Sequence, residues 1–188
     1  MIKALYQDKE TVLNILCQSF DENKSVNYVT KQDHKRKERV RVLMEYSFEV
    51  CYLFGNVFMN TEKTAVALIL YPERKKTTAK TILLDLKLAL FSIGIKNIFK
   101  VLDRESKIKQ HHPKTPILYL WFIGVENGQQ KRGIGSKLLK EIIEKGTQEN
   151  REIYLETSTL VNIPWYQKHG FSIYKELEFS YKLFILKK

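Results

Sequence analysis

Apolar residues early in the chain recur at intervals of three and four. Across residues 8–20, Val12, Leu13, Leu16, Cys17 and Phe20 form one stripe, the spacing that gathers side chains on one face of a helix. Acidic residues near its start suit the positive end of the helix dipole, so a first amphipathic helix is expected. The charged run at residues 31–41 leads into a second stripe, Val42, Leu43, Tyr46, Val50 and Leu53, which stops near Gly55. A solvated helix start accounts for that run without a partner.

Beyond Gly55 the period changes. Residues 56–60 and 65–71 are short β-favouring runs, separated by Thr61, Glu62, Lys63 and Thr64 and stopped by Pro72, which predicts an antiparallel hairpin. Ile82, Leu83, Leu86, Leu90 and Phe91 predict a third helix over residues 78–93, before Gly94. From Pro116 to Val125 the chain is almost continuously apolar and aromatic, as expected of a central strand buried on both faces. A polar turn then enters a helix whose face is Ile134, Leu138, Leu139, Ile142 and Ile143, closing at Gly146. Residues 151–158 read as a strand, 164–169 as a short helix ending at Gly170, and 171–186 as a last hairpin. This order predicts an α/β fold with a mixed, twisted central sheet of about six or seven strands and helices on both faces.

Composition narrows the picture. At 188 residues and 44% hydrophobic content, the chain can bury a sizeable core, so one domain over residues 1–188 is expected and extensive disorder is not. No basic start precedes an apolar run, and no stretch approaches the ~20 apolar residues that span a bilayer. A cytoplasmic protein without a membrane partner is therefore expected. Cys17 and Cys51 show no metal or redox spacing and read as free thiols, with no metal site. The net charge of +11 favours anions. Nucleic acid is the less favoured option, motivated by that charge and the basic run at residues 31–41.

The informative chemistry lies between the central strand and its helix, at Gln130, Lys131, Arg132, Gly133, Ile134, Gly135 and Ser136. A helix N-terminus leaves backbone N–H groups unpaired, and its dipole adds partial positive charge, so such a turn binds phosphate oxygens. Gly133 and Gly135 lack a Cβ, which permits positive φ and close approach of a pyrophosphate. Lys131 and Arg132 add full charges. The turn lacks the Lys-Ser/Thr ending of a P-loop and the GxGxxG of a dinucleotide fold.

Ile123-Gly124-Val125 followed by this QxxGxG turn resembles the acetyl-CoA signature of the GNAT superfamily of N-acetyltransferases. A second block, LETSTLVNIPWYQKHGF, matches at Asn162, Tyr166, Gly170 and Phe171. The short interval from Asn162 to Tyr166 is similar to the branch that includes puromycin-type acetyltransferases. The resemblance implies transfer of an acetyl group from acetyl-CoA, bound as co-substrate without metal, to a primary amine within a ternary complex. It assigns residues 111–188 to acetyl-CoA and residues 1–110 to shaping the acceptor pocket, in a monomer or homodimer. It implies that main-chain groups of Ile123 and Val125 pair with pantetheine, that Asn162 bonds the same arm, and that Tyr166 protonates the departing thiolate. The central strand carries no acidic residue, so Glu156 or His112 is the candidate base, and a CoA-binding sensor without turnover is the alternative. The amine itself is not specified.

Overall fold

A computed structural model describes residues 1–188. Strand β1 (Ile2–Lys3) precedes helices α1 (Lys9–Ser19), α2 (Lys24–Val29) and α3 (Arg36–Phe54). The hairpin β2 (Gly55–Met59) and β3 (Ala65–Leu70) follows, then α4 (Ala79–Leu88), a wider turn at Ala89–Ile93, and α5 (Ile98–Lys109). The rest runs β4 (Leu118–Val125), α6 (Ile134–Gln148), β5 (Ile153–Thr157), α7 (Ile163–Lys168), β6 (Ser172–Glu178) and β7 (Lys182–Lys187).

The seven strands form one sheet in the order β1-β2-β3-β4-β5-β7-β6. Every neighbouring pair is antiparallel except β4 with β5, so the sheet is mixed as expected. Helices cover both faces. One face packs Val12, Leu16, Met44 and Phe48 from α1 and α3 against Val57, Val66, Leu68 and Phe122. The other packs Leu138, Leu139 and Ile142 of α6 against Ala65, Ile69, Leu118 and Leu155. These helices form where the apolar spacing placed them, because only a continuous apolar stripe can seal a sheet face from water.

Three elements escaped the sequence pattern. The two-residue β1 and the six-residue α2 are too short to show a period. Helix α5 is obscured because one of its inward positions is Arg104, buried and hydrogen-bonded to the Tyr181 hydroxyl at 2.9 Å and Ser25 Oγ at 2.5 Å. The sequence reading also made β4 uniformly buried. Its positions instead alternate between buried and half-buried: Ile123 and Val125 line an open cleft, while Tyr119 and Trp121 pack at the margin of the core.

Candidate functional site

The parallel pairing of β4 with β5 covers only Leu118↔Ile153 and Tyr119↔Tyr154. Beyond Tyr119 the two strands separate, so the sheet is split at its centre. A bulge accompanies the split: Phe122 pairs with Leu68 and Leu120 with Ile69 of β3, leaving Trp121 as the extra residue. Main-chain groups of residues two apart point to the same side of a strand. Leu118 N–H donates to Glu152 O on the β5 side, whereas Glu126 N–H donates to Thr64 O on the β3 side. The bulge reconciles these two bonds, and it turns the main-chain groups of Ile123 and Val125 away from β3 into the split.

The split opens into a cleft of about 600 Å³. Its walls include Ser19, Phe20 and Asn23 from the end of α1 and the following loop, Ile123 and Val125 of β4, and Asn162, Trp165 and Tyr166 at α7. Gln130, Lys131, Gly133, Gly135 and Ser136 line the end at the start of α6. Gly124 allows α1 to come close: a Cβ there would lie 2.9 Å from Ser19 Oγ. Ser19 Oγ donates to Val125 O at 3.1 Å, and Gln130 Nε2 approaches the same carbonyl at 3.3 Å.

The turn before α6 is left-handed at Gly128 (φ 84°), Lys131 (φ 61°) and Gly133 (φ 80°). Gly133 is the N-cap of α6 with no side-chain cap bond, so the first N–H groups of that helix are left to face the cleft end. A Cβ on Gly133 would meet no atom within 4 Å, because the space there belongs to the cleft. At Gly135 a Cβ would lie 3.3 Å from Val125 Cγ2, a tight approach of helix to strand.

Two residues of the expected turn do not face the cleft. Arg132 Nη1 donates to Gln129 Oε1 at 2.6 Å, and Ile134 packs into the core beneath α6. The guanidinium satisfies a neighbour in its own turn, and an apolar residue at the first helical position is drawn to the core. Lys131 is thus the cation of the expected pair that lines the cleft.

Asn162 is the N-cap residue of α7 but makes no side-chain cap bond, so its amide is left for the cleft. Tyr166 is 6% exposed, and burial raises its phenol well above the ordinary tyrosine value, which keeps it protonated at neutral pH. Trp165 was not anticipated. Its indole N–H donates to Ser136 Oγ at 2.8 Å, tying α7 to the first turn of α6, and its sequence signal was no more than an aromatic beside Tyr166.

The two candidate bases meet. Glu156 lies two residues past the last β4–β5 pair, its Oε1 3.1 Å from His112 Nε2, and its other oxygen accepts a hydrogen bond from the Tyr119 hydroxyl. The Glu156 side chain is only 8% exposed, and it does not line the cleft wall. Burial first, and then the Glu156 charge, hold the Tyr119 phenol well above its ordinary value, so Tyr119 remains a donor to the carboxylate. Glu156 follows Tyr154 and Leu155 on β5, so it sits on the sheet face opposite Leu155, and Leu155 shares a core with Tyr166.

No group of three or more His, Cys, Asp or Glu side chains is arranged to hold a metal ion, and no helix is long and apolar enough to cross a membrane. Cys51 is buried and Cys17 half-buried, both as free thiols.

Comparison with known proteins places this geometry. A Corynebacterium glutamicum protein described as histone acetyltransferase HPA2 and related acetyltransferase superposes with a TM-score of 0.72 at 20% identity, over 100% of this chain and 93% of that one. The C-terminal condensation domain of Ebony, solved with beta-alanyl-dopamine, reaches 0.72 at 11% identity, over 100% and 96% of the two chains. Arylalkylamine N-acetyltransferase 2 of Aedes aegypti reaches 0.63 at 18% identity, over 100% and 96%. By sequence, the chain is 23% identical to a probable serine/threonine-protein kinase of Dictyostelium discoideum, over 88% of this chain. It spans about a fifth of that relative, 20% of its length. Residues 98–173, which hold β4, the left-handed turn, α6 and α7, match the family model described as an acetyltransferase (GNAT) domain. The split sheet and the glycine turn lie on that stretch, so residues 98–173 are similar to a GNAT acetyltransferase domain and the whole chain has the fold of the acetyltransferases it superposes on.

Proposed function

We propose that this protein transfers an acetyl group from acetyl-CoA to a primary amine by direct attack within a ternary complex. The observation that carries the reading is the end of β4–β5 pairing at Tyr119↔Tyr154, directly upstream of a left-handed turn at a helix N-terminus. In this reading the diphosphate sits against the main chain of Gly133, Gly135 and Ser136 with Lys131 beside it. The pantetheine arm runs through the split, paired with main-chain groups of Ile123 and Val125 and with the Asn162 amide. Ser19 and Gln130 both donate to the Val125 carbonyl, which occupies its two lone pairs, so a ligand bond to that oxygen displaces one of these donors.

The amine nitrogen attacks the thioester carbonyl, and the adduct collapses with cleavage of the carbon–sulfur bond. Tyr166 gives its phenolic proton to the departing sulfur. The proton lost by the amine passes to Glu156, which His112 and Tyr119 hold in place; because Glu156 does not line the cleft, the transfer runs through a water. Residues 1–110 shape the acceptor side, since α1 and the loop to α2 form one wall of the cleft.

The test is incubation of the protein with acetyl-CoA and a panel of amines, following thiol release. Arylalkylamines belong in that panel because one fold relative is named for them. Acetyl-CoA binding with turnover of at least one amine is the expected result. No binding of acetyl-CoA refutes the proposal, and binding without turnover across the panel favours a sensor role.

A further inference from the structure

The segment between β3 and β4 carries a feature that acetyl transfer does not use. Helix α4 is apolar on two sides. Leu84 and Leu88 pack into the core beneath α3, while Ile82, Leu83, Leu86 and Leu90 are 43–65% exposed. Continuing past Gly94, Ile95, Phe99 and Leu102 are 58–83% exposed, although α5 has its own inward side in Val101 and Ile108. A run of large apolar side chains facing water over some twenty residues is a surface that marks an interaction site.

Charge decides the partner. Residues 72–114 hold eleven Lys and Arg against four Asp and Glu, so +7 of the chain's +11 lies in this segment. Lys80 and Lys87 are held by Glu49 and Glu45 of α3, and Lys107 by Asp103. Lys76, Lys96, Lys109 and Lys114 are exposed and belong to none of the chain's ion pairs. A second copy would bring the same positive segment against this one, which like-charge repulsion opposes. Nucleic acid would match the lysines but leave leucine and isoleucine in water. Lysines flanking an apolar helix face form the pattern of helices that lie in the boundary of an anionic bilayer.

We propose that the α4–α5 segment docks this protein on an anionic lipid surface, with Leu83, Leu86 and Phe99 entering the acyl boundary and the free lysines at headgroup phosphates. The expectation of no membrane partner rests on the lack of an apolar span long enough to cross a bilayer; lying in the interface requires no such span.

The test is co-sedimentation with phosphatidylcholine vesicles, with and without phosphatidylserine, of the wild-type chain and of a Leu83→Asp/Phe99→Asp variant. Both positions are solvent-facing, and retained thermal unfolding and acetyl-CoA binding verify the fold of the variant. The expected result is binding to the phosphatidylserine vesicles that falls with added salt and drops about tenfold or more in the variant. A Phe99→Trp variant is expected to shift its emission to the blue when those vesicles are added. The proposal is overturned by absent binding, by equal binding to neutral and anionic vesicles, by undiminished binding of the double variant, or by an unshifted Phe99→Trp emission. Light scattering that shows a dimer dissolved by the double variant would assign the face to a second copy and also overturn it.

Discussion

Gly133→Ala is the most discriminating single substitution. The residue holds φ at 80°, a left-handed conformation that costs a residue with a Cβ about 1–2 kcal/mol. No protein atom lies within 4 Å of the added methyl, so no clash adds to the strain. A loss of about 1 kcal/mol lowers the Tm of a chain of this size by about 2–4 °C. The methyl would also project into the cleft where the diphosphate is placed, so acetyl-CoA affinity should weaken by about tenfold, or ~1.4 kcal/mol. Gly94→Ala is the matched control: its φ is 76°, it lies remote from the cleft, and its Cβ meets only the flexible Lys31 side chain at 3.1 Å. Thermal unfolding and calorimetric titration with acetyl-CoA of both variants separate the two effects. Gly94→Ala should lose stability and keep affinity, whereas Gly133→Ala should lose both. An unchanged acetyl-CoA Kd in Gly133→Ala would refute the placement of the diphosphate at this turn.

Tyr166→Phe should lower kcat by about 10²-fold or more while leaving acetyl-CoA affinity near wild type, and equal kcat in steady-state assays would remove Tyr166 as the acid. Glu156→Gln keeps the hydrogen-bonded shape around His112 and Tyr119 but removes the carboxylate proposed as the base, so kcat should fall with the fold intact. A Glu156→Gln enzyme with the wild-type pH–rate profile would count against that role. At Glu49 burial opposes ionisation, but hydrogen bonds from Lys9, Tyr6 and Lys80 outweigh it and hold the carboxyl down to about 2 against an ordinary 4.5. A lowered folded value stabilises the protein above the ordinary value and is lost on acidification. Stability should therefore fall as pH drops from 4.5 toward about 2, and Glu49→Gln should flatten that part of the pH–stability curve.

The layout of the sheet was legible wherever one residue face had one job. Val12, Leu13 and Leu16 on α1, and Leu138, Leu139 and Ile142 on α6, only have to be apolar, so their spacing names their helices. The turn at Gln130 to Ser136 was legible because glycine at a positive φ leaves a compositional mark. Three things were not. Helix α5 hides behind the buried Arg104, whose partner Tyr181 is 77 positions away and can be found only by folding the chain. The meeting of His112 with Glu156 depends on strand pairing across 44 positions, which no local pattern records. Arg132 looks like a phosphate ligand in sequence, yet its guanidinium bonds Gln129, because a long side chain takes the nearest acceptor when its stem leaves the turn in that direction.

The extra residue at Trp121 works as a phase converter. Upstream of it, Leu118 and Leu120 send their peptide groups toward one neighbour; downstream, Ile123 and Val125 send theirs toward the same side although the count between them is odd. Side chains before Trp121 can therefore be exchanged to suit a different acceptor while the downstream edge keeps its alignment. Deleting Trp121 would leave Leu120 and Phe122 as neighbours opposite Ile69 and Leu68, a regular ladder with the downstream edge unmoved, so the bulge lets this strand carry one residue more than its partner without closing the split.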